Sequence, residues 1–471
     1  MARFSPLMAS LPLLISLMSA TFQAQANNQL PDIGTAGVAA LPIEQEVRYG
    51  NAFMRFARAG LPIIDDPVLS EYIDDLGQRL LTNADGVRFP FTFFLINDPS
   101  INAAAFLGGR VKVHTGLFLY ADNESELASV LAHEITHVTQ RHIARYMEAQ
   151  ASSSAMTLAG LVGSIALAVI NPTAGIAALQ TTLGLSMQSA INYTRDNEYE
   201  ADRIGMKTLY DAGFDPMGMA SFFQKLAAEY RYASKPPEML LTHPLPETRI
   251  SEARARANSY GRRALPPSLD FWLAKVRIQV RYGTESPQAL LTYFDSRLQK
   301  GDYPLKDAAT YGKALALLQL KRTDEADTLM QGLAARHPED LFVVDALTDI
   351  DLAKGRSAQA IARLERFRTR MPDNEVVVVN LGNAYLEGGN YQKSIAILDP
   401  YAREHDENSL AWSLLSDAYR KAGRMTDLHM ARAETLSLRG DYQAAIDELI
   451  VARGTTSDKL TLARIEARIT Q

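Results

Sequence analysis

Residues 123–137 read Asn123-Glu124-Ser125-Glu126-Leu127-Ala128-Ser129-Val130-Leu131-Ala132-His133-Glu134-Ile135-Thr136-His137, and their reading decides how the chain is organised. Asn123 followed three residues later by Glu126 is a helix-opening signal, since the short polar side chain takes up an orphan amide and the Glu can reach back. The pattern carries this helix to about Ala149. His133 and His137, four residues apart, stand on one helix face and can share one ion. Glu134, one position round, sits beside that ion rather than on it. Its carboxylate can therefore take a proton from zinc-bound water, whose pKa falls to around 7, and later hand it to a leaving amine.

Such a run also arises by chance, so a third ligand decides the matter. The metzincin pattern needs a glycine and a histidine where this chain has Gln140 and Ile143, which excludes that class. His142, five residues after His137, is expected to point away from the metal face as a surface or core residue. A later helix contains Asn197-Glu198-Tyr199-Glu200-Ala201-Asp202. Glu198 would close a His-His-Glu triad and leave a fourth position for water. Asp202, on the same face, could accept the outer N–H of His133 and fix its tautomer. Glu200 is expected to face away into solvent.

Upstream, a helical pattern runs from Glu44 to about Leu81, broken at Leu61-Pro62-Ile63-Ile64-Asp65-Asp66-Pro67. Phe89–Ile96 and Arg110–Thr115 are short, aromatic or β-branched and bounded by turn residues, which predicts strands of a small sheet. The strand at Arg110–His114 is the expected edge for pairing with an extended substrate, and His114 on it reads as a strand-face residue. Residues 155–191 are apolar and rich in small residues, interrupted at Asn171-Pro172. They read as a helical hairpin on the catalytic core, with peripheral contact to a membrane as the alternative. In Leu241-Thr242-His243-Pro244-Leu245-Pro246-Glu247-Thr248-Arg249 the prolines predict a stiff loop. His243 there is either a ligand at the open metal position or a loop residue; Arg249 is either an oxyanion stabiliser or a structural ion pair.

Beyond about Pro266 the pattern is helical alone and repeats. Lys321, Gly355, Gly389 and Gly423 are evenly spaced, as are Pro338, Pro372 and Asp406, and Ala326, Ala360 and Ser394. The common interval, about 34 residues, is that of tetratricopeptide repeats, with Lys321 in place of a turn Gly and Asp406 in place of a closing Pro. The expected fold is α+β, mostly α: a zincin-like catalytic domain with a small sheet and an active-site helix, then an all-α repeat array. The expected division is 1–26 signal peptide, 27–265 metallopeptidase domain and 266–471 repeat domain.

The signal peptide rests on Arg3, the apolar run from Leu7 to Met18 and the small-x-small site Ala24-Gln25-Ala26. That run is shorter than the roughly 20 residues of a spanning helix. Losing Arg3 with it would take the formal charge from −6 to −7. The chain has no cysteine, so it has neither a disulfide framework nor a lipid-anchoring thiol. The mildly acidic balance without a basic cluster argues against nucleic acid as a partner.

The residues Asn102–Phe106 with Gly108-Gly109-Arg110, Thr115-Gly116-Leu117, His133–His137, Glu198–Asp202 with Gly205, and His243-Pro244 with Arg249 resemble the zinc metallopeptidase family that includes HtpX and the CAAX prenyl endopeptidases. The resemblance spans most of residues 45–260. It implies one Zn2+ per chain on His133, His137 and Glu198, with Glu134 catalytic and Asp202 credited with a proton-donor role. Joined to a signal peptide and repeats, the pattern is similar to periplasmic members in Gram-negative bacteria. It then implies an endopeptidase that degrades stalled outer-membrane β-barrel precursors and assists the assembly of competent ones. Its partners would be unfolded or misfolded polypeptides and, through the repeats, the barrel-assembly machinery. An assembly chaperone or scaffold with a latent or structural zinc site is the alternative.

Overall fold

The computed structural model describes residues 37–38, 41–151, 187–232, 239–240 and 243–471. The expected signal peptide, and the segment 155–191 up to residue 186, lie outside them. Helices α1 (Ile43–Gly60) and α2 (Pro67–Leu81) flank the proline-rich break, and Asp66 caps α2 by accepting from the Leu69 amide. Three strands follow: β1 (Thr92–Ile96), β2 (Ala103–Phe106) and β3 (Arg110–His114), in the order β1-β3-β2. β1 runs parallel to β3 and β2 antiparallel to it, with Ala105 opposite Val111. This corrects the expectation for β3. Its two ladders are both used, so it is the middle strand, and the edge towards the rest of the fold belongs to β2. Three consecutive alanines carry little strand preference, which is why β2 was not expected.

A short α3 (Thr115–Tyr120) leads into α4 (Glu124–Thr139), whose Asn123 Oδ1 accepts from the Glu126 amide at 3.0 Å. The expected single helix to Ala149 is two. Arg141 sits in the left-handed region at φ 54° and the chain restarts as α5 (His142–Ala151). That backbone is costly for a long side chain. It is held by the buried Arg141 guanidinium, whose Nε and Nη2 lie 2.9 and 2.7 Å from Glu46 Oε1. α6 (Met187–Asp211), α7 (Met217–Tyr232) and α8 (Glu247–Tyr260) complete this half.

From Leu269 to Thr470 the described residues form six helix pairs: α9 (Leu269–Tyr282) and α10 (Pro287–Lys300); α11 (Lys306–Gln319) and α12 (Thr323–Arg336); α13 (Leu341–Ala353) and α14 (Ser357–Arg370); α15 (Glu375–Glu387) and α16 (Tyr391–Glu404); α17 (Ser409–Lys421) and α18 (Met425–Leu438); α19 (Tyr442–Gly454) and α20 (Lys459–Thr470). The periodic positions have the roles the spacing implies. Gly355, Gly389 and Gly423 turn at φ 69°, 75° and 73°, and Lys321 adopts the same conformation at 62° without a glycine's freedom. Ala326, Ala360 and Ser394 are fully buried where helices meet.

Repeat units usually touch only their neighbours. Here one hydrophobic core runs from Val68 on α2 through Leu131 on α4 and Phe271 on α9 to Val376 on α15. The division at 265/266 remains a proposal about functional units, since packing is continuous across it. At the centre of the junction Arg277, 1% exposed, donates from Nε to Asp66 Oδ2 at 2.7 Å and lies 2.7 Å from Asp345 Oδ2 and 3.0 Å from the Tyr311 hydroxyl. Two outer contacts join the halves further along: Asn374 Nδ2 donates to Glu71 at 2.8 Å, and Arg58 meets Glu407 at 3.1 Å. No described helix is long and apolar enough to cross a membrane.

Candidate metal centre

Helix α4 is buried on nearly all sides, and its His133 and Glu134 are 2% and 1% exposed. Helix α6 crosses it closely because Gly205 lacks a side chain: a Cβ there would lie 3.1 Å from the Ala132 backbone. That approach brings the i, i+4 pair Glu198 and Asp202 against the α4 histidines.

His133 Nε2 and His137 Nε2 lie 3.0 Å apart, and Glu198 is 3.3 Å from the first and 3.4 Å from the second. His243 completes a group of four whose possible ligand atoms all fall within 4.8 Å of one another. Its Nδ1 is 3.0 Å from Glu198 Oε1 and 3.3 Å from His133 Nε2. Lone pairs of several imidazoles and a carboxylate aimed at one small volume repel unless a cation lies among them. Burial alone would drive His133 towards neutrality, but Asp202 and Glu198 outweigh it and push its pKa up to about 10. Burial alone would raise Glu198, yet His243 and His133 hold it well below the usual carboxylate range. The donor set of imidazole nitrogens and one carboxylate fits zinc and leaves calcium or magnesium, which prefer oxygen, poorly served.

Glu134 stands beside this group. Its Oε2 accepts the Ala105 amide from β2 at 2.9 Å, while Oε1 makes no hydrogen bond and has His243 Nε2 at 3.4 Å. Asp202 Oδ1 lies 3.1 Å from the outer Nδ1 of His133. Both Asp202 oxygens are held by Arg249, from Nε at 2.7 Å and Nη2 at 2.8 Å, and the remaining Nη1 is 2.8 Å from Glu198 Oε2. Arg249 is therefore committed to ion pairs, which matches the structural reading of that residue. His114 is apart from the group, its Nδ1 2.8 Å from Ser100 Oγ.

Two expectations are corrected. His142 does not point away, because the break at Arg141 swings it back until its Nδ1 is 2.8 Å from His137 Nδ1. Glu200 is not simply solvated; it meets His142 Nε2 at 3.2 Å and Arg145 Nη1 at 2.8 Å. Burial pushes the His142 pKa down to about 4 despite Glu200. The Ala105 amide was also missed, and a backbone group on an alanine leaves no mark in a sequence.

Peptidase family M48 matches residues 67–257, and tetratricopeptide repeat families match 308–340 and 351–418. A putative beta-barrel assembly-enhancing protease of Vibrio cholerae is 54% identical over 322 residues, 68% of this chain and 66% of that protein. Beta-barrel assembly-enhancing proteases of Yersinia pestis and Escherichia coli K12 are 50% and 46% identical, over 72% and 73% of this chain and 70% and 71% of theirs. The matched stretch thus spans about two thirds of each relative.

Proposed function

The chain belongs to peptidase family M48, a metallopeptidase family, and on that premise we propose that it is an exported zinc endopeptidase acting on unfolded or misassembled polypeptides in the periplasm, outer-membrane β-barrel precursors among them. The observation that carries this reading is Glu134 Oε1, buried and without a hydrogen bond, beside the converging His133, His137 and Glu198. A purely structural metal site would have no use for such a group. The barrel substrates are proposed from the relatives' names, and the tetratricopeptide array supplies a surface for polypeptide or for assembly partners.

His133, His137 and Glu198 would hold the ion. Bound there, zinc supplies Lewis acidity that polarises the scissile carbonyl and eases deprotonation of water. Glu134 accepts the water proton at Oε1 and passes it to the departing amine nitrogen. The Ala105 amide fixes the other carboxylate oxygen, so the accepting one keeps its aim. Asp202 orients His133 through its outer nitrogen, and its position there favours orientation over direct proton donation. The outer edge of β2 offers backbone groups to an extended substrate, which makes recognition indifferent to side chains.

Glu198→Gln tests the ligand set, because a neutral amide oxygen is a weak zinc ligand. The purified variant should contain no stoichiometric metal, and its casein cleavage should match that of parent protein treated with a chelator. Full occupancy in the variant would send the search for a third ligand elsewhere.

His243 lies against both Glu134 and Glu198, and the Met239 amide upstream donates to the Ile101 carbonyl beside β2 at 3.3 Å. This supports a latch in which the loop occupies the place of water and substrate until substrate displaces it. His243→Ala should raise basal casein cleavage several-fold with zinc retained. A fall would assign His243 to positioning instead, and no change would remove it from the mechanism.

A further inference from the structure

The two α4 histidines each turn one nitrogen to the cluster and one away, and the outer nitrogens are held by different devices. The outer Nδ1 of His133 meets a carboxylate directly, Asp202, which is itself braced by Arg249. His137 has Nε2 among the converging atoms, 3.0 Å from His133 Nε2, so its outer atom is Nδ1. That atom meets a histidine: His142 Nδ1 at 2.8 Å. Beyond His142 the pattern of the first arm returns, a carboxylate, Glu200 Oε2 at 3.2 Å from Nε2, braced by Arg145 Nη1 at 2.8 Å.

We propose that His142 is a positioning residue for His137, relaying Glu200 to the outer nitrogen of that ligand. The inference rests on the reading that His137 lends Nε2 to the ion. Its tautomers then follow without choice. A ring nitrogen that holds a metal carries no proton, so the single proton of neutral His137 is on Nδ1 and is donated to His142. His142 must accept at Nδ1, which puts its own proton on Nε2, facing Glu200. Both bonds of the relay are satisfied in one sense only, and that sense locks the His137 ring in the orientation that presents Nε2 inward.

The backbone is built to deliver this contact. Along an uninterrupted helix residue 142 would lie about 140° round from His137, on another face. The left-handed Arg141 breaks the helix between them, and the buried ion pair of Arg141 with Glu46, together with its bond to the Leu41 carbonyl, holds that conformation. His142 itself is 4% exposed, so water does not replace it as the partner of His137.

The test is the zinc dissociation constant of the full-length protein, from competition with a chromogenic chelator, alongside apo-protein melting. His142→Ala should weaken zinc about 10- to 100-fold, the usual effect of removing the partner of a ligand histidine. His142→Asn places Oδ1 where Nδ1 was, can still accept from His137, and should recover most of that loss; Glu200→Gln should cost a few-fold. Should the alanine chain not melt cooperatively, His142→Leu serves as the apolar comparison. Parent affinity in the apolar variant, or an equal loss in the asparagine variant, overturns the relay. The control is His137→Ala: parent-like zinc affinity there would overturn the ligand reading beneath it, whereas loss there with an unaffected His142→Ala condemns the relay alone.

Discussion

Glu134→Gln is expected to lower kcat for peptide hydrolysis by about 10²- to 10⁴-fold while metal content and melting temperature stay those of the parent. Glutamine is nearly isosteric, and its carbonyl oxygen can keep the Ala105 amide that now binds Oε2 at 2.9 Å. What it cannot do is accept a proton at the position of Oε1. The rate would fall because the water loses its base and the departing amine its proton source. KM should change little, since the edge of β2 and the repeats are untouched. Turnover within a few-fold of the parent, with full metal content, would sink the assignment of Glu134.

Arg277→Ala should destabilise the whole molecule by about 3–5 kcal/mol, a large share of the roughly 5–15 kcal/mol that holds a typical fold. The guanidinium is 1% exposed and neutralises two buried carboxylates from opposite sides of the junction, Asp66 on the α2 cap and Asp345 on α13. Its removal leaves both buried charges without their close cation, with only Arg281 at 3.9 Å from each and the neutral donors Tyr282 and Asn380 beside them, which costs more than the lost contacts. Equilibrium unfolding in urea measures the loss. The mechanism has its own check: Arg277→Met combined with Asp66→Asn and Asp345→Asn removes the charges together and should recover much of the stability. A loss below about 1 kcal/mol in the single variant would show that the network does not bind the halves. For the same reason a chain ending near Pro266 would uncover the core between α2, α3 and α9, and should not fold as an independent unit.

What could be read from the sequence was what depends on local periodicity. His133 and His137, like Glu198 and Asp202, are four apart on helices, so their shared faces follow from residue count, and the repeats announce themselves by their interval. What could not be read depends on distant partners. A left-handed Arg141 has no propensity signal, and its brace, Glu46, lies 95 residues away. The turn it makes reverses the expected direction of His142. The middle position of β3 required knowing that Ala103–Phe106, a poor strand by composition, pairs beside it. The continuous core hangs on Arg277 and Asp66, 211 residues apart.

A stack of helix pairs tied only end to end behaves as a spring, which can lengthen, curl or twist under load. This one is pinned to the peptidase half at Arg277 in the first pair, at Asn374 ahead of the fourth and at Glu407 ahead of the fifth. Pinned so, it acts as a ruler. Under the function proposed above, a polypeptide held at a given pair would need a set length of slack chain to meet Glu134, so its reach, more than its sequence, would determine whether it is cut.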